Sequence, residues 1–144
     1  MFLDIKSAFD SISFKSIITA LHNHGVNHIL IINLLGQRQV IYSLKGISLL
    51  KYIIKGTPQG GVLSPLLWNI VINSLLTTLR NVLLQPDVMQ GFADNLVSLV
   101  TGQNLDDLME KMQAIVNIIN NWCIANGLEL STDKTILVLF IWKR

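Results

Sequence analysis

Apolar and polar positions alternate along the chain in two periods, one typical of strands and one typical of helices. Short apolar runs predict four strand regions, at residues 2–5, 39–55, 89–100 and 136–142. Apolar residues three or four positions apart predict four helices, at residues 13–24, 27–35, 64–81 and 105–126. Turns at Lys45-Gly46 and at Asp94-Asn95 divide the second and third strand regions into hairpins. The sequence therefore predicts an α+β fold.

Residues that favour helix ends support these boundaries. Ser13, Ser64 and Asn104 carry side-chain oxygens that accept hydrogen bonds from the first helical N–H groups, so we expect them to be N-caps. Gly25 and Gly127 follow the apolar periodicity where a helix is expected to stop.

The same periodicity predicts which helical residues are buried. In the helix at 64–81 these are Leu66, Leu67, Ile70, Val71, Leu75 and Leu79. In the helix at 105–126 they are Leu105, Leu108, Met109, Met112, Val116, Ile119 and Cys123. We interpret both stripes as core packing.

Composition limits the class of protein. A chain of 144 residues fits one domain, and its 14% of charged residues is well below the usual share of about 25%. The net charge of +2 comes from dispersed Lys and Arg, so charge alone does not indicate nucleic-acid binding. We expect no membrane span, because the apolar runs are short or interrupted. An N-terminal stretch with two aspartates is unlike a secretory leader, which predicts an intracellular protein and leaves nucleus or cytoplasm open.

Cysteine and histidine do not indicate a metal or redox site. The one cysteine, Cys123, cannot form an internal disulfide and is expected in the core. His22, His24 and His28 lie near predicted helix ends and are interpreted as solvated residues rather than ligands.

Two aspartates are candidates for chemistry. Asp4 is the one charge in the first apolar run, so it must end the strand, be hydrogen-bonded or face a cation. Asp94 belongs either to an ordinary surface turn or to a site that binds a divalent cation. If residues 36–61 are an insertion, the remaining order of elements is the split βαβ pattern of ferredoxin-like folds. That topology brings Asp4 and Asp94 to one sheet face, and we predict carboxylates within about 6 Å, as in a two-metal site for phosphoryl transfer.

The GTPQGG segment at residues 56–61 predicts a loop. Its glycines and proline exclude a helix or a central strand, and glycines allow another backbone to approach closely. Gln59 is its one long polar side chain. An ordinary connection between a strand and a helix is the alternative interpretation.

Four motifs occur in a characteristic order: FLDIKSAFD, GTPQGGVLSPLLWNI, GFADNLVSLV and NGLELSTDKT. In these motifs the chain resembles the reverse transcriptases of non-LTR, LINE-like retrotransposons. The resemblance implies the polymerase palm, a ferredoxin-like split βαβ antiparallel sheet with helices on one face. Residues 1–144 would be a single palm fragment, and residues 36–61 a small fingers-side hairpin insertion. The implied activity is RNA-directed DNA synthesis with an RNA template, a DNA primer, dNTPs and two Mg²⁺ ions, with Mn²⁺ as an alternative.

The resemblance also implies catalytic roles. Asp4 and Asp94 match the metal-binding carboxylates, and Asn95 occupies the second position at the catalytic tip. Lys134 matches the lysine proposed to protonate the departing pyrophosphate, with an ordinary surface-turn lysine as the alternative.

Nucleotide and template contacts are implied for other residues. Phe9 resembles the bulky residue under the incoming sugar that excludes a 2′-hydroxyl, with a core aromatic as the alternative. Gln59, with Pro58, Gly60 and Gly61, resembles the loop that follows the template and the nascent base pair. Asp10 also matches a family position, and we favour a structural role for it.

Two departures from the family lead to other functional hypotheses. The family usually has a second aspartate where this chain has Asn95, which removes one negative charge from the expected metal site. The resemblance leaves most of the fingers and all of the thumb outside this chain, as expected for a decayed or partial copy. The remaining polymerase parts would be partners if they are supplied in trans. A silent remnant with weak nucleic-acid or metal binding is therefore one alternative. An RNA-binding module on the same topology is another, although the basic, aromatic strand motif of such modules is not apparent.

Overall fold

A computed structural model describes residues 1–83 and 86–140 as a mixed fold of helices and antiparallel strands. The strands are β1 (Phe2–Asp4), β2 (Gln39–Leu44), β3 (Ile47–Tyr52), β4 (Val88–Phe92) and β5 (Asn95–Leu99). The helices are α1 (Ala8–Ser11), α2 (Phe14–Asn23), α3 (Ile29–Gly36), α4 (Ser64–Val82) and α5 (Leu105–Ala125), followed by a 3₁₀ turn at Thr132–Lys134. The predicted mixture of helices and antiparallel strands is confirmed.

The larger sheet has three antiparallel strands in the order β1-β5-β4. In its register Asp4 lies opposite Asn95, and Asn95 also lies opposite Phe92 on the other side. The free edge of β1 makes two isolated bridges to the chain after α5, Ile5 to Leu130 and Phe2 to Ile136. This register brings the end of β1 beside the β4–β5 turn.

The β4–β5 turn lies one residue earlier than predicted. β4 ends at Phe92 and β5 begins at Asn95, so the turn residues are Ala93 and Asp94, and the predicted turn at Asp94-Asn95 was wrong. The buried side chain of Leu96 explains the difference, since a slip of one residue would turn it to the opposite face of the sheet. Core packing therefore outweighs the turn preference of the Asp-Asn pair.

Helix starts follow the predicted caps at two of three sites. The Ser16 N–H donates to Ser13 Oγ at 3.0 Å, and the Asp107 N–H donates to Asn104 Oδ1 at 2.8 Å. The prediction of Ser64 as an N-cap was wrong, because Ser64 is the first residue of α4 and its hydroxyl instead donates to the Pro58 carbonyl at 2.6 Å. This bond ties the start of α4 to the preceding loop.

The core lies between the three-stranded sheet and the long helices. It includes Leu75, Leu79, Leu96 and Ile119, all fully buried. Cys123 is also buried, as predicted, and burial raises the pKa of its thiol to about 11.

The buried stripes were predicted only in part. Leu66, Leu105 and Met109 are more than half exposed, whereas Trp68 and Ile115 are buried. Apolar residues occur on more than one side of α4 and α5, so periodicity alone does not determine which side faces the sheet.

The second sheet is the β2–β3 hairpin. Its Lys45-Gly46 turn was predicted, and both residues have positive φ, as a two-residue hairpin loop requires. Most of its side chains are exposed, including apolar ones such as Ile41 and Leu49.

The predicted last strand is not formed across its described part. Ile136 makes a bridge to Phe2, but residues 137–140 are not in a strand, and residues 141–142 lie outside the described residues. β1 is only three residues long, and among the described residues Phe2–Ile136 is the last bridge recorded on that edge.

Among the helices described at residues 1–83 and 86–140, none combines the length and the apolarity that a bilayer crossing needs.

Candidate active site

The GTPQGG loop packs directly against α1. The Gly56 N–H donates to the Ile12 carbonyl at 2.7 Å, and the Thr57 N–H donates to the Phe9 carbonyl at 2.7 Å. A Cβ atom on Gly56 would lie 2.6 Å from the Asp10 carbonyl oxygen, so this approach requires glycine. The first motif and the loop therefore form one continuous surface.

Gln59 and Asp10 connect the same two segments through their side chains. The Gln59 amide Nε2 donates to both Asp10 carboxylate oxygens, at 3.0 and 3.2 Å. This contact supports a structural role for Asp10, because the Asp10 carboxylate orients the one long polar side chain of the loop.

A cavity of about 490 Å³ lies where three of the sequence motifs meet. Its volume is in the range typical of sites for small molecules. It is lined by Ser7, Ala8, Phe9, Asp10, Pro58, Gln59, Gly60, Gly61, Ser64, Pro65 and Asp94. The structure thus brings together Asp94 and the predicted nucleotide and template residues. Asp4, Asn95 and Lys134 are not among the lining residues.

Asp4 lies at the end of β1 and is only 6% exposed. The Lys134 ammonium lies 3.2 Å from Asp4 Oδ2, so the one charge in the first strand both ends that strand and faces a cation. The sequence left both explanations open together with hydrogen bonding, and Lys134 Nζ also donates to Asp4 Oδ1 at 3.4 Å.

The position of Lys134 follows from a bulge in the chain. Between the bridges Ile5–Leu130 and Phe2–Ile136 there are two residues on β1 but five on the segment that follows α5. The extra residues form the Thr132–Lys134 turn. Lys134 is therefore both an exposed turn lysine and the ion-pair partner of Asp4.

Asn95 follows Asp94 in the chain and is the cross-strand partner of Asp4. The Ile5 N–H donates to the Asp94 carbonyl at 2.9 Å, which makes the adjacent Asp4–Asn95 pair a non-hydrogen-bonded pair whose side chains approach closely. The Asn95 Nδ2 lies 3.5 Å from Asp94 Oδ1. Asn95 thus contacts Asp94 through its side chain and is the cross-strand neighbour of Asp4, which pairs with Lys134.

The donor set suits a hard divalent cation. Two carboxylates and an amide oxygen are ligands that Mg²⁺ accepts, and Asp94 is accessible from the cavity. Across residues 1–83 and 86–140, no group of three or more His, Cys, Asp and Glu side chains could hold a metal ion. Asn95 is the position at which the family usually has a second aspartate.

Trp68 is a site residue that the sequence reasoning missed. Its indole Nε1–H donates to the Ala93 carbonyl at 2.6 Å, and its ring lies 5.7 Å from the ring of Phe9. Trp68 follows Ser64 by one helical turn, so the spacing of the fifteen-residue motif could have placed it on the face of Ser64.

Comparison with known proteins gives a consistent result. The family model described as "Reverse transcriptase (RNA-dependent DNA polymerase)" matches residues 1–143. The putative 115 kDa protein of the Drosophila melanogaster type-1 retrotransposable element R1DM is 31% identical over 141 residues, covering 96% of this chain and 13% of that protein. The retrovirus-related Pol polyprotein of the Popillia japonica type-1 element R2 is 29% identical over 139 residues, covering 92% of this chain and 23% of that protein. The chain thus spans less than a quarter of either relative, and the resemblance inferred from the four motifs is confirmed.

Proposed function

The chain belongs to the reverse transcriptase (RNA-dependent DNA polymerase) family, and from that premise we propose that it is the palm of a non-LTR retrotransposon polymerase. In this proposal it transfers the nucleotidyl group of a dNTP to the 3′-hydroxyl of a DNA primer on an RNA template, with pyrophosphate as the leaving group. The observation that carries the proposal is the cavity in which Asp94, Phe9 and Gln59 meet although they are far apart in sequence.

The sheet supports the palm interpretation. Its order β1-β5-β4, extended by the bridges from residues 130 and 136 to the free edge of β1, matches the strand neighbours of a split βαβ fold. In this interpretation the β2–β3 hairpin within residues 36–61 is the fingers-side insertion.

Asp4 and Asp94 would hold two Mg²⁺ ions, with Mn²⁺ as an alternative, and Asn95 would support them through its amide oxygen. Such ions supply Lewis-acid chemistry and neutralise the charge that develops during nucleotidyl transfer. Asp4 serves this role from a rigid position, because both its backbone and its neighbour Ile5 are hydrogen-bonded within the sheet region.

The remaining cavity residues would bind and orient the substrates. Phe9 would lie under the incoming sugar and exclude a 2′-hydroxyl by steric contact. Gln59, with Pro58, Gly60 and Gly61, would contact the template and the nascent base pair. Asp10 would orient Gln59 through the two hydrogen bonds described above.

Lys134 would donate a proton to the departing pyrophosphate. Its ion pair with Asp4 supports this assignment, because the contact holds a flexible and largely exposed side chain beside a proposed metal ligand.

A second candidate function is that of a catalytically silent remnant that binds nucleic acid or metal weakly. The observation that favours it is Asn95, which leaves two dications and a triphosphate with one negative charge fewer than the family arrangement provides.

Primer extension distinguishes these candidates. The test uses a chimera in which an active relative supplies the other polymerase parts, because the curated relatives are several times longer than this chain. We expect Mg²⁺-dependent extension that Asp94→Asn reduces to background. Asp87→Asn is the matched control, since Asp87 lies before the same hairpin and accepts hydrogen bonds from Thr101.

The control chimera should retain its activity. A chimera that is folded and binds primer and template, yet extends no primer, would favour the silent remnant. Equal extension by the chimera with Asp94 and the chimera carrying Asp94→Asn would contradict the proposed site.

A further inference from the structure

The turn that carries Asp94 is strained. Ala93 has a φ of +54°, in the left-handed region that costs free energy for any residue with a Cβ atom. Such a conformation persists where the surrounding structure holds it. Here the Ala93 carbonyl accepts the hydrogen bond from the Trp68 indole.

Trp68 is itself held firmly in place. Its side chain is nearly fully buried on α4, and it packs against Phe9 with a ring separation of 5.7 Å. Trp122 meets it edge to face at 6.5 Å and an interplanar angle of 79°. The direction of the indole N–H is therefore fixed by aromatic packing on two sides.

We propose that Trp68 is a positioning residue, which holds the Ala93-Asp94 turn so that the Asp94 carboxylate faces the cavity. This inference rests on the proposed function, because it concerns the role of Asp94 as a metal ligand. Through its contact with Phe9, the same side chain also connects the turn to a second residue that lines the cavity.

Hydrogen exchange at single-residue resolution tests the inference. The Ile5 N–H donates to the Asp94 carbonyl and reports on the turn, while the Ser98 N–H donates to the Met1 carbonyl at the far end of the same strand pair. In Trp68→Phe we expect exchange at Ile5 to rise about fivefold to tenfold, as the loss of one neutral hydrogen bond predicts, and exchange at Ser98 to stay unchanged.

Trp122→Phe is the matched control. It removes an indole N–H from the same aromatic cluster, where Trp122 Nε1 donates to Ser74 Oγ at 2.9 Å, away from the turn. We expect wild-type exchange at Ile5 in this variant. An equal rise at Ile5 and Ser98, an equal rise in both variants, or no rise in Trp68→Phe would overturn the proposal.

A double variant tests the role of the turn strain. Adding Ala93→Gly removes the strain, because glycine adopts positive φ without a Cβ penalty. We expect Trp68→Phe with Ala93→Gly to return exchange at Ile5 towards the wild-type rate. A double variant that exchanges at Ile5 as fast as Trp68→Phe or faster, with Ser98 still protected, would overturn the role of turn strain in the proposal.

Binding of Mn²⁺, followed by electron paramagnetic resonance of the free ion, separates this inference from the proposed function. We expect Trp68→Phe to weaken Mn²⁺ binding about fivefold, because the turn that carries Asp94 is then held by one hydrogen bond fewer. Trp122→Phe should leave Mn²⁺ binding unchanged. Unchanged Mn²⁺ affinity in Trp68→Phe, with faster exchange at Ile5, would reduce Trp68 to a purely structural role and overturn the positioning claim. Wild-type protein that binds no Mn²⁺ would contradict the proposed metal site, and hydrogen exchange would still decide whether Trp68 holds the turn.

Discussion

The two hairpins of this chain have similar lengths and apolar content but different surroundings. Both pair strands of five or six residues across a two-residue turn, and both are rich in apolar side chains. Leu96 on β5 is fully buried, whereas Leu49 on β3 is 67% exposed. Strand pattern and turn residues are thus sufficient to form a hairpin, but burial depends on what the rest of the chain packs against it.

The turns differ in the same way. The Lys45-Gly46 turn has positive φ at two residues, one of them glycine, and is consistent with local preferences alone. The Ala93-Asp94 turn also places a residue with a Cβ atom in the left-handed region, as Lys45 is in the other turn, but its Ala93 carbonyl accepts a hydrogen bond from Trp68 on another element. The turn that carries the candidate chemistry is therefore the one fixed by tertiary contacts.

Matched leucine truncations should give the largest difference in stability between the hairpins. We expect Leu96→Ala to lower the free energy of unfolding by about 2–5 kcal/mol, because it opens a cavity in the core. Leu49→Ala should change it by no more than about 0.5 kcal/mol, as for most exposed positions. Urea denaturation measures both. Equal losses would show that β2–β3 is buried in solution.

Adding a carboxylate to one hairpin or to the other should have unequal effects on primer extension. In the chimera, Asn95→Asp should raise the rate of primer extension about 10²-fold, equivalent to about 2.7 kcal/mol of transition-state stabilisation. It should also strengthen the Mg²⁺ dependence. Ser48→Asp adds the same charge to the exposed hairpin and should leave the rate unchanged. Equal rates for the chimera that keeps Asn95 and the chimera carrying Asn95→Asp would show that the asparagine does not disable the site.

Sugar discrimination should depend on the aromatic ring that lines the same cavity as Asp94. In an active chimera, Phe9→Val should raise ribonucleotide use relative to deoxyribonucleotide use by about tenfold or more, because space opens beside the 2′ position. Phe2→Val, on the exposed side of β1, is the control and should not change the ratio. An unchanged ratio in Phe9→Val would assign Phe9 to packing alone.

The exposed hairpin should promote self-association. Its apolar side chains are in water and the net charge of +2 provides little repulsion. We expect Leu49→Lys to weaken association of the chain about tenfold in sedimentation experiments at low salt. Val82→Lys, at a half-exposed position on α4, should weaken it less. A monodisperse wild-type monomer at high concentration would contradict this expectation.

Local features were predicted well from the sequence. Side-chain caps at Ser13 and Asn104 and the Lys45-Gly46 turn were predicted because the interactions that form them lie within a few residues. The association of the first motif, the GTPQGG loop and the hairpin was expected from the family resemblance, and the cavity contains residues of all three.

Features that depend on distant contacts were not predicted. The turn register was misplaced because Leu96 is selected by the core, not by turn preference. Trp68 was missed because its partner carbonyl lies 25 residues away in sequence. Leu66 and Leu105 are exposed because another side of each helix faces the core. The apolar periodicity did not predict this, since more than one side of each helix carries apolar residues at that spacing.

The central claim is that Asp4 and Asp94 form one metal site, with carboxylates within about 6 Å of each other. Titration of Mn²⁺ into the 144-residue chain tests it most directly, with free Mn²⁺ followed by electron paramagnetic resonance. We predict saturable binding that Asp4→Asn and Asp94→Asn each abolish and that Asp87→Asn retains. Wild-type affinity in either Asp4→Asn or Asp94→Asn would contradict the claim.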